Sequence, residues 1–151
     1  MEKIITILIT ILLAYVAWQN YKINQANSRI QKDKLRLDLF ERRLKVFSAC
    51  QELFATILRE ANVDRDRLFK FLRDSSDVEF LFGDEIKTYL DEIYKKGLKL
   101  SYINQRLNSG SQEKREELAE EDSQILGWFE KQFSVSRDFF RKYLHFTINK
   151  G

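Results

Sequence analysis

The chain has 151 residues, 26 Lys plus Arg against 23 Asp plus Glu (formal charge +3), no proline, five glycines, one cysteine and one histidine. Acids and bases are interspersed, which excludes the dominant basic face of a nucleic-acid binder, and the scarcity of helix breakers favours long helices over sheets. All twelve phenylalanines lie beyond residue 39, so that part carries the apolar material of one modest folded domain and is no disordered tail.

The first element is a transmembrane helix over residues 4–21. No charged residue occurs from Ile4 to Tyr21, and about 18 residues of helix rise roughly 27 Å, close to the hydrocarbon thickness of a bilayer. Tyr15, Trp18 and Tyr21 cluster at one end, where amphipathic rings favour the headgroup zone, so Trp18, Tyr21, Lys22 and Arg29 are the expected membrane-interface residues. A cleaved signal peptide would need a positive start and small residues flanking the cut. Glu2 cancels Lys3, however, and Ala14-Tyr15-Val16-Ala17 offers no A-x-A site. Lys22, Arg29, Lys32, Lys34 and Arg36 follow the span while only Lys3 precedes it, which predicts a cytoplasmic C-terminal domain and an N-terminus outside. Topology control explains these bases, with attraction to anionic headgroups as an addition. Thr6, Thr10 and Ala14 recur every four residues on one face, a small-xxx-small pattern that would let two membrane helices approach closely.

No Gly or Pro interrupts the helix between the span and Gly83. Residues spaced by seven form one seam row, Ile23, Ile30, Leu37, Leu44, Gln51 and Leu58, beside a second row, Ala26, Asp33, Phe40, Phe47, Phe54 and Ala61. A continuous helix to about residue 61 would run on the order of 85 Å. Residues 22–34 hold only Ile23, Ala26 and Ile30 as apolar residues, and read either as a thin self-associating stalk or as a linker. Beyond Leu35 the apolar face widens through Leu39, Val46, Cys50, Leu53 and Ile57, as in a helix packed on its own chain.

Asp64 to Leu72 reads as a short helix with an acidic start, ended by Asp74-Ser75-Ser76-Asp77. Val78 to Phe82 is a compact apolar run, expected as a turn or an irregular wedge under a bundle. Asp84 is the expected cap of the next helix, whose stripe is Ile86, Tyr89, Leu90, Ile93, Tyr94, Gly97, Leu100 and Leu107. Gly97 in mid-helix costs up to about 1 kcal/mol against Ala, which close contact with another helix would explain. Asn108-Ser109-Gly110 is a turn, and a last helix from about Gln112 carries Leu118, Ile125, Leu126, Phe129, Phe133, Phe140, Tyr143 and Leu144. Residues 35–147 are therefore expected to form an antiparallel helical bundle, and the whole chain to be all-α.

No residue pattern points to a catalytic, cofactor-binding or metal-ligating role. Cys50, among Phe47, Leu53 and Phe54, reads as a buried structural thiol, as a reducing compartment permits. His145 lacks the partners of a zinc site or a catalytic base and reads as an end-of-helix residue. No phosphate-cradling or nucleophile-elbow motif occurs. Glu113, Glu116, Glu117, Glu120, Glu121 and Asp122 form a dense acidic run, but the histidines of a di-metal bundle are missing, so a solvated helix start is the reading. A carboxylate-only site is the one enzymatic reading left.

The run from Leu35 to Phe47, LRLDLFERRLKVF, resembles the opening of a group of short uncharacterised bacterial proteins with one N-terminal membrane helix and a helical cytosolic domain. Glu79 to Ile86 and Tyr89 to Ile93 are similar to that group as well, and the likeness covers roughly residues 32–147. The resemblance implies a bacterial inner-membrane location and supplies no catalytic residues. Two functions are consistent with these features. One is a membrane-anchored interaction or accessory module, with Arg42-Arg43 as a trial surface and a protein partner or self-association in view. The alternative is a membrane-active effector that oligomerises through its transmembrane helix, as in stress or phage defence. The expected partners are the lipid bilayer and protein, with no nucleic acid and no evident small-molecule substrate. Packing contacts are expected at Thr6, Thr10, Ala14, Ile23, Ile30, Leu37 and Leu44.

Overall fold

The computed structural model describes residues 2–109 and 114–145. Among these there are five helices and no strand: α1 (Glu2–Glu60), α2 (Arg65–Asp74), α3 (Val78–Leu81), α4 (Asp84–Asn108) and α5 (Arg115–Arg141). The fold is all-α, as the uninterrupted 3-4 spacing of apolar residues requires. The chain divides into two compact units, Met1–Leu39 and Phe40–Gly151.

The described residues of the first unit are the opening part of α1, and none of their apolar side chains is buried. The second unit begins at Phe40; Leu35, Leu37 and Leu39 before it are exposed, and Val46 is its first buried residue.

Within the second unit the helices alternate in direction. Phe47 meets Phe140, and Phe54 meets Phe129 and Phe133, so α5 runs antiparallel to the last part of α1. Lys45 pairs with Asp74 and Arg67 with Glu60, which sets α2 antiparallel to the same stretch. Tyr89 stacks on Phe139 at 4.7 Å while Asn104 bonds Asp122 at 2.9 Å, so α4 and α5 are antiparallel too. The core they enclose centres on Phe54, Ile57, Leu68, Ile86, Ile93, Leu100, Phe129 and Phe140, all fully buried. These side chains remove large apolar areas from water, at roughly 25 cal/mol per Å2, and their burial drives the unit together.

The helix ends show local chemistry at work. Asp64 caps α2, its carboxylate accepting from the Arg67 amide at 2.8 Å. The hydroxyl of buried Ser75 donates to the Phe71 carbonyl at 2.7 Å as the chain leaves α2. Val78–Leu81 is a single helical turn rather than an irregular wedge; it buries Leu81 and leaves Phe80 in solvent. Gly83, not Asp84, occupies the N-cap of α4, and Asp84 is its first helical residue. Gly97 is buried where α4 meets α2: a Cβ there would lie 2.6 Å from the Leu68 Cδ2. α5 stops at Arg141, so Tyr143 and Leu144 lie in the turn beyond it and not on its stripe. Gly110, Gln112 and Glu113, to which a turn, a helix start and part of the acidic run were assigned, lie outside the described residues.

Candidate functional site

Residues 4–21 form helix whose every described side chain is exposed except the half-buried Gln19. Ile4 through Trp18 present large apolar groups around the full circumference, and none of the 18-residue stretch best suited to crossing a membrane is buried. A helix that is apolar all round requires an apolar surrounding. Its few polar groups are satisfied locally: the Thr6 and Thr10 hydroxyls donate to the Glu2 and Thr6 carbonyls at 3.0 and 2.8 Å. Ala14 continues their exposed face without adding a polar group. At the far end the rings of Tyr15 and Trp18 lie 6.4 Å apart, the Lys22 ammonium sits 3.9 Å over the Trp18 ring, and the Tyr21 hydroxyl accepts from Gln25 at 2.7 Å. Arg29 is exposed further along. Aromatic rings bounded by cations are the chemistry of a headgroup zone.

The seam residues Ile23, Ile30, Leu37 and Leu44 are all exposed. α1 instead buries Val46, Cys50, Leu53, Phe54 and Ile57 in the bundle, a stripe turned away from the Leu44–Gln51–Leu58 row. Gln51 of that row contributes a polar contact, donating to the Ser136 hydroxyl at 2.8 Å.

Between α4 and α5 runs an apolar groove of about 520 Å3, lined by Thr88, Tyr89, Trp128, Val135 and Phe139 with Glu85 and Glu92 at its edge. A small polar layer fixes its floor. The Tyr89 hydroxyl donates to the Gln132 carbonyl oxygen at 3.0 Å, and the Gln132 amide donates to the Trp128 carbonyl at 3.0 Å. Burial raises the Tyr89 phenol well above its ordinary range, so it stays a neutral donor. Both Gln132 and Ser136 are buried, and neither was legible as core from apolar periodicity.

A second constellation ties the end of the chain to the bundle. Arg43 is half-buried; its guanidinium donates to the Leu81 carbonyl at 2.9 Å and the Tyr143 carbonyl at 3.3 Å, and lies 5.3 Å over the Tyr143 ring. The Tyr143 hydroxyl accepts from the Gly83 amide at 3.1 Å and donates to Glu85 at 2.8 Å, and Lys142 also bonds Glu85. The Lys142 ammonium and the Tyr143 hydroxyl hold the Glu85 carboxyl down from its ordinary 4.5 to about 2. A carboxylate depressed in the folded state stabilises fully above its unfolded value and loses that contribution as pH falls through the folded one. Between pH 4.5 and about 2, the thermal midpoint of Glu85→Gln should therefore fall less steeply than that of the wild type. Parallel acid profiles for the two would show that the contact does not persist in solution.

The remaining reactive groups are engaged or exposed. Cys50 is fully buried, and burial pushes its thiol up to about 12, so the nucleophilic thiolate is suppressed at neutral pH. Glu116, Glu117 and Glu120 are exposed; Glu121 pairs with Lys99 at 3.1 Å and Asp122 accepts from Asn104, with burial raising its carboxyl. His145 is exposed beyond the end of α5. Among the described residues no three His, Cys, Asp or Glu side chains come together as a metal site.

No family model, no curated protein and no solved structure matches this chain.

Proposed function

We propose that residues 4–21 anchor the chain in a bacterial inner membrane and that the helical bundle, on the cytosolic side, is an interaction module for a protein partner rather than an enzyme. One contrast carries this reading. The opening of α1 is apolar on every side with nothing covering it, whereas the second unit completes a core of its own. The first needs lipid, and the second is a self-sufficient body for it to hold. The bases after the span, with a single lysine before it, support the cytosolic placement of the bundle. The surface offered to the partner is the groove of Tyr89, Trp128, Val135 and Phe139, whose shape is held by the Tyr89–Gln132 bond. Half-buried Arg43 bonds the Leu81 and Tyr143 carbonyls of its own bundle, which favours the groove over Arg43 as that surface. The alternative, a membrane-active effector that oligomerises through its transmembrane helix, would use the exposed Thr6–Thr10–Ala14 face for close approach of two spans.

The buried thiol of Cys50 makes cysteine labelling a clean test. Glu2→Cys and Gln31→Cys variants should both stay with the membrane pellet after alkaline extraction. In intact spheroplasts an impermeant maleimide should label Glu2→Cys and spare Gln31→Cys. Release by alkali would overturn the anchor, and the reverse labelling would overturn the orientation.

A further inference from the structure

We infer that the chain forms a parallel homodimer through the seam Ile9, Val16, Ile23, Ile30 and Leu37, and not through the Thr6–Thr10–Ala14 face. These five residues follow one another at intervals of seven on the continuous helix α1, and all are between 46 % and 54 % exposed. The row beside them reads Ile5, Leu12, Gln19, Ala26 and Asp33.

The informative stretch is the one after the span, where lipid no longer explains an apolar residue. Between residues 22 and 34 the apolar side chains are Ile23, Ala26 and Ile30: the two isoleucines fall on the seam and Ala26 on the row beside it. The rest of that stretch is polar or charged. A water-exposed helix of this kind has no packing within its own chain, and isolated helices of about 15 residues are marginal in water. A second copy supplies what is missing, because a heptad seam is complementary to itself.

Charge and side-chain shape agree with that occupant. Ile9, Val16, Ile23 and Ile30 are β-branched, the side-chain shape that a two-stranded parallel seam accepts along one of its two rows. Asp33 is the polar residue of the second row, and in the single chain it makes only a loose 4.0 Å contact with exposed Arg36. In a parallel pair the two Asp33 carboxylates face each other across the seam with Lys34 of each copy beside them, a polar cluster whose charges balance only in this register. Two copies anchored in one membrane with the same orientation can meet only in parallel; on this point alone the inference rests on the proposed anchoring. At about 100° per residue, Thr6, Thr10 and Ala14 lie roughly 130° around α1 from the seam. A dimer that uses one face leaves the other to lipid.

The test is oxidative cross-linking of single-cysteine substitutions in native membranes, with the buried Cys50 as the unreactive background. Ala26→Cys and Ile30→Cys on the seam should form disulfide dimers several-fold more readily than Gln25→Cys and Ser28→Cys on the outer side. Adding Ile23→Glu should abolish the Ala26→Cys dimer while near-ultraviolet circular dichroism shows the bundle still folded. Equal cross-linking at all four positions would mean random collision and would overturn the dimer. Preferential cross-linking at Thr10→Cys over Ile9→Cys would overturn the choice of face. Alkaline extraction of the same membranes reports insertion separately, so failure of the anchor and failure of the seam are told apart.

Discussion

Arg43→Ala should destabilise the bundle by about 2–4 kcal/mol, since hydrogen bonds from a charged donor contribute about 1.5–3 kcal/mol each and both here are partly screened by solvent. The guanidinium bridges two segments far apart in sequence: the Leu81 carbonyl at the end of α3 and the Tyr143 carbonyl beyond α5. Truncation removes the guanidinium donor from both carbonyls and the cation from over the Phe82 and Tyr143 rings. Arg43→Lys should recover less than half of the loss, because an ammonium cannot present the planar fork that reaches both carbonyls. Trp18 and Trp128 are the two tryptophans, so in a Trp18→Phe background Trp128 reports on α4–α5 packing alone. Urea unfolding of the full chain in mild detergent, followed by that fluorescence, gives the difference. Identical midpoints for Arg43→Ala and its parent would mean that the bridge is not formed in solution.

The same cluster shows why part of this architecture was hidden in the sequence. Periodicity places Tyr143 and Leu144 on the stripe of the last helix, since they continue the spacing from Phe140. The helix ends at Arg141 instead, and Tyr143 turns back to bond the Gly83 amide and Glu85. A helix end of this kind is decided by long-range partners, which local spacing cannot report. Gln132 and Ser136 were missed for a related reason. Apolar periodicity finds apolar core residues, whereas these two are buried because Tyr89 and Gln51 satisfy them from other helices. Where the deciding physics is local, the sequence is legible: the acidic start of α2 at Asp64, the break at Asp74 to Asp77, the burial of Cys50 and the uncharged 4–21 stretch are each set by adjacent residues.

The heptad rows are an intermediate case. Spacing sets Leu44 and Leu58 with Ile23 and Ile30 on one seam and also marks Val46, Cys50, Leu53 and Ile57 as a face packed on its own chain; the bundle buries the second set. Both stripes exist because α1 must satisfy different surroundings along its length. The 3.6-residue period of a packed helix drifts away from a strict repeat of seven. Leu44, exposed in the folded unit, marks where the second requirement takes over from the first.

Gly97 tests the packing of that unit from the opposite direction, through addition rather than truncation. On helix propensity alone, Gly97→Ala should stabilise α4 by up to about 1 kcal/mol. The added Cβ, however, would stand 2.6 Å from the Leu68 Cδ2, and Leu68 is itself buried between α2 and α4. Overpacking of a closed core costs about 1–3 kcal/mol, so the net expectation is a loss of about 1–2 kcal/mol. Gly127 supplies the internal comparison, because it is also in mid-helix and a Cβ there would meet nothing within 4 Å. Gly127→Ala should therefore show the propensity gain unopposed. The cycle closes with Leu68→Ala, which alone should cost about 2–5 kcal/mol for the cavity it opens. In that background the obstacle is gone, and Gly97→Ala should change sign from destabilising to stabilising. A Gly97→Ala variant that gains stability as Gly127→Ala does, with Leu68 intact, would show that α2 and α4 do not approach closely. The sign of one methyl group thus separates a glycine kept for helix contact from one that the helix merely tolerates.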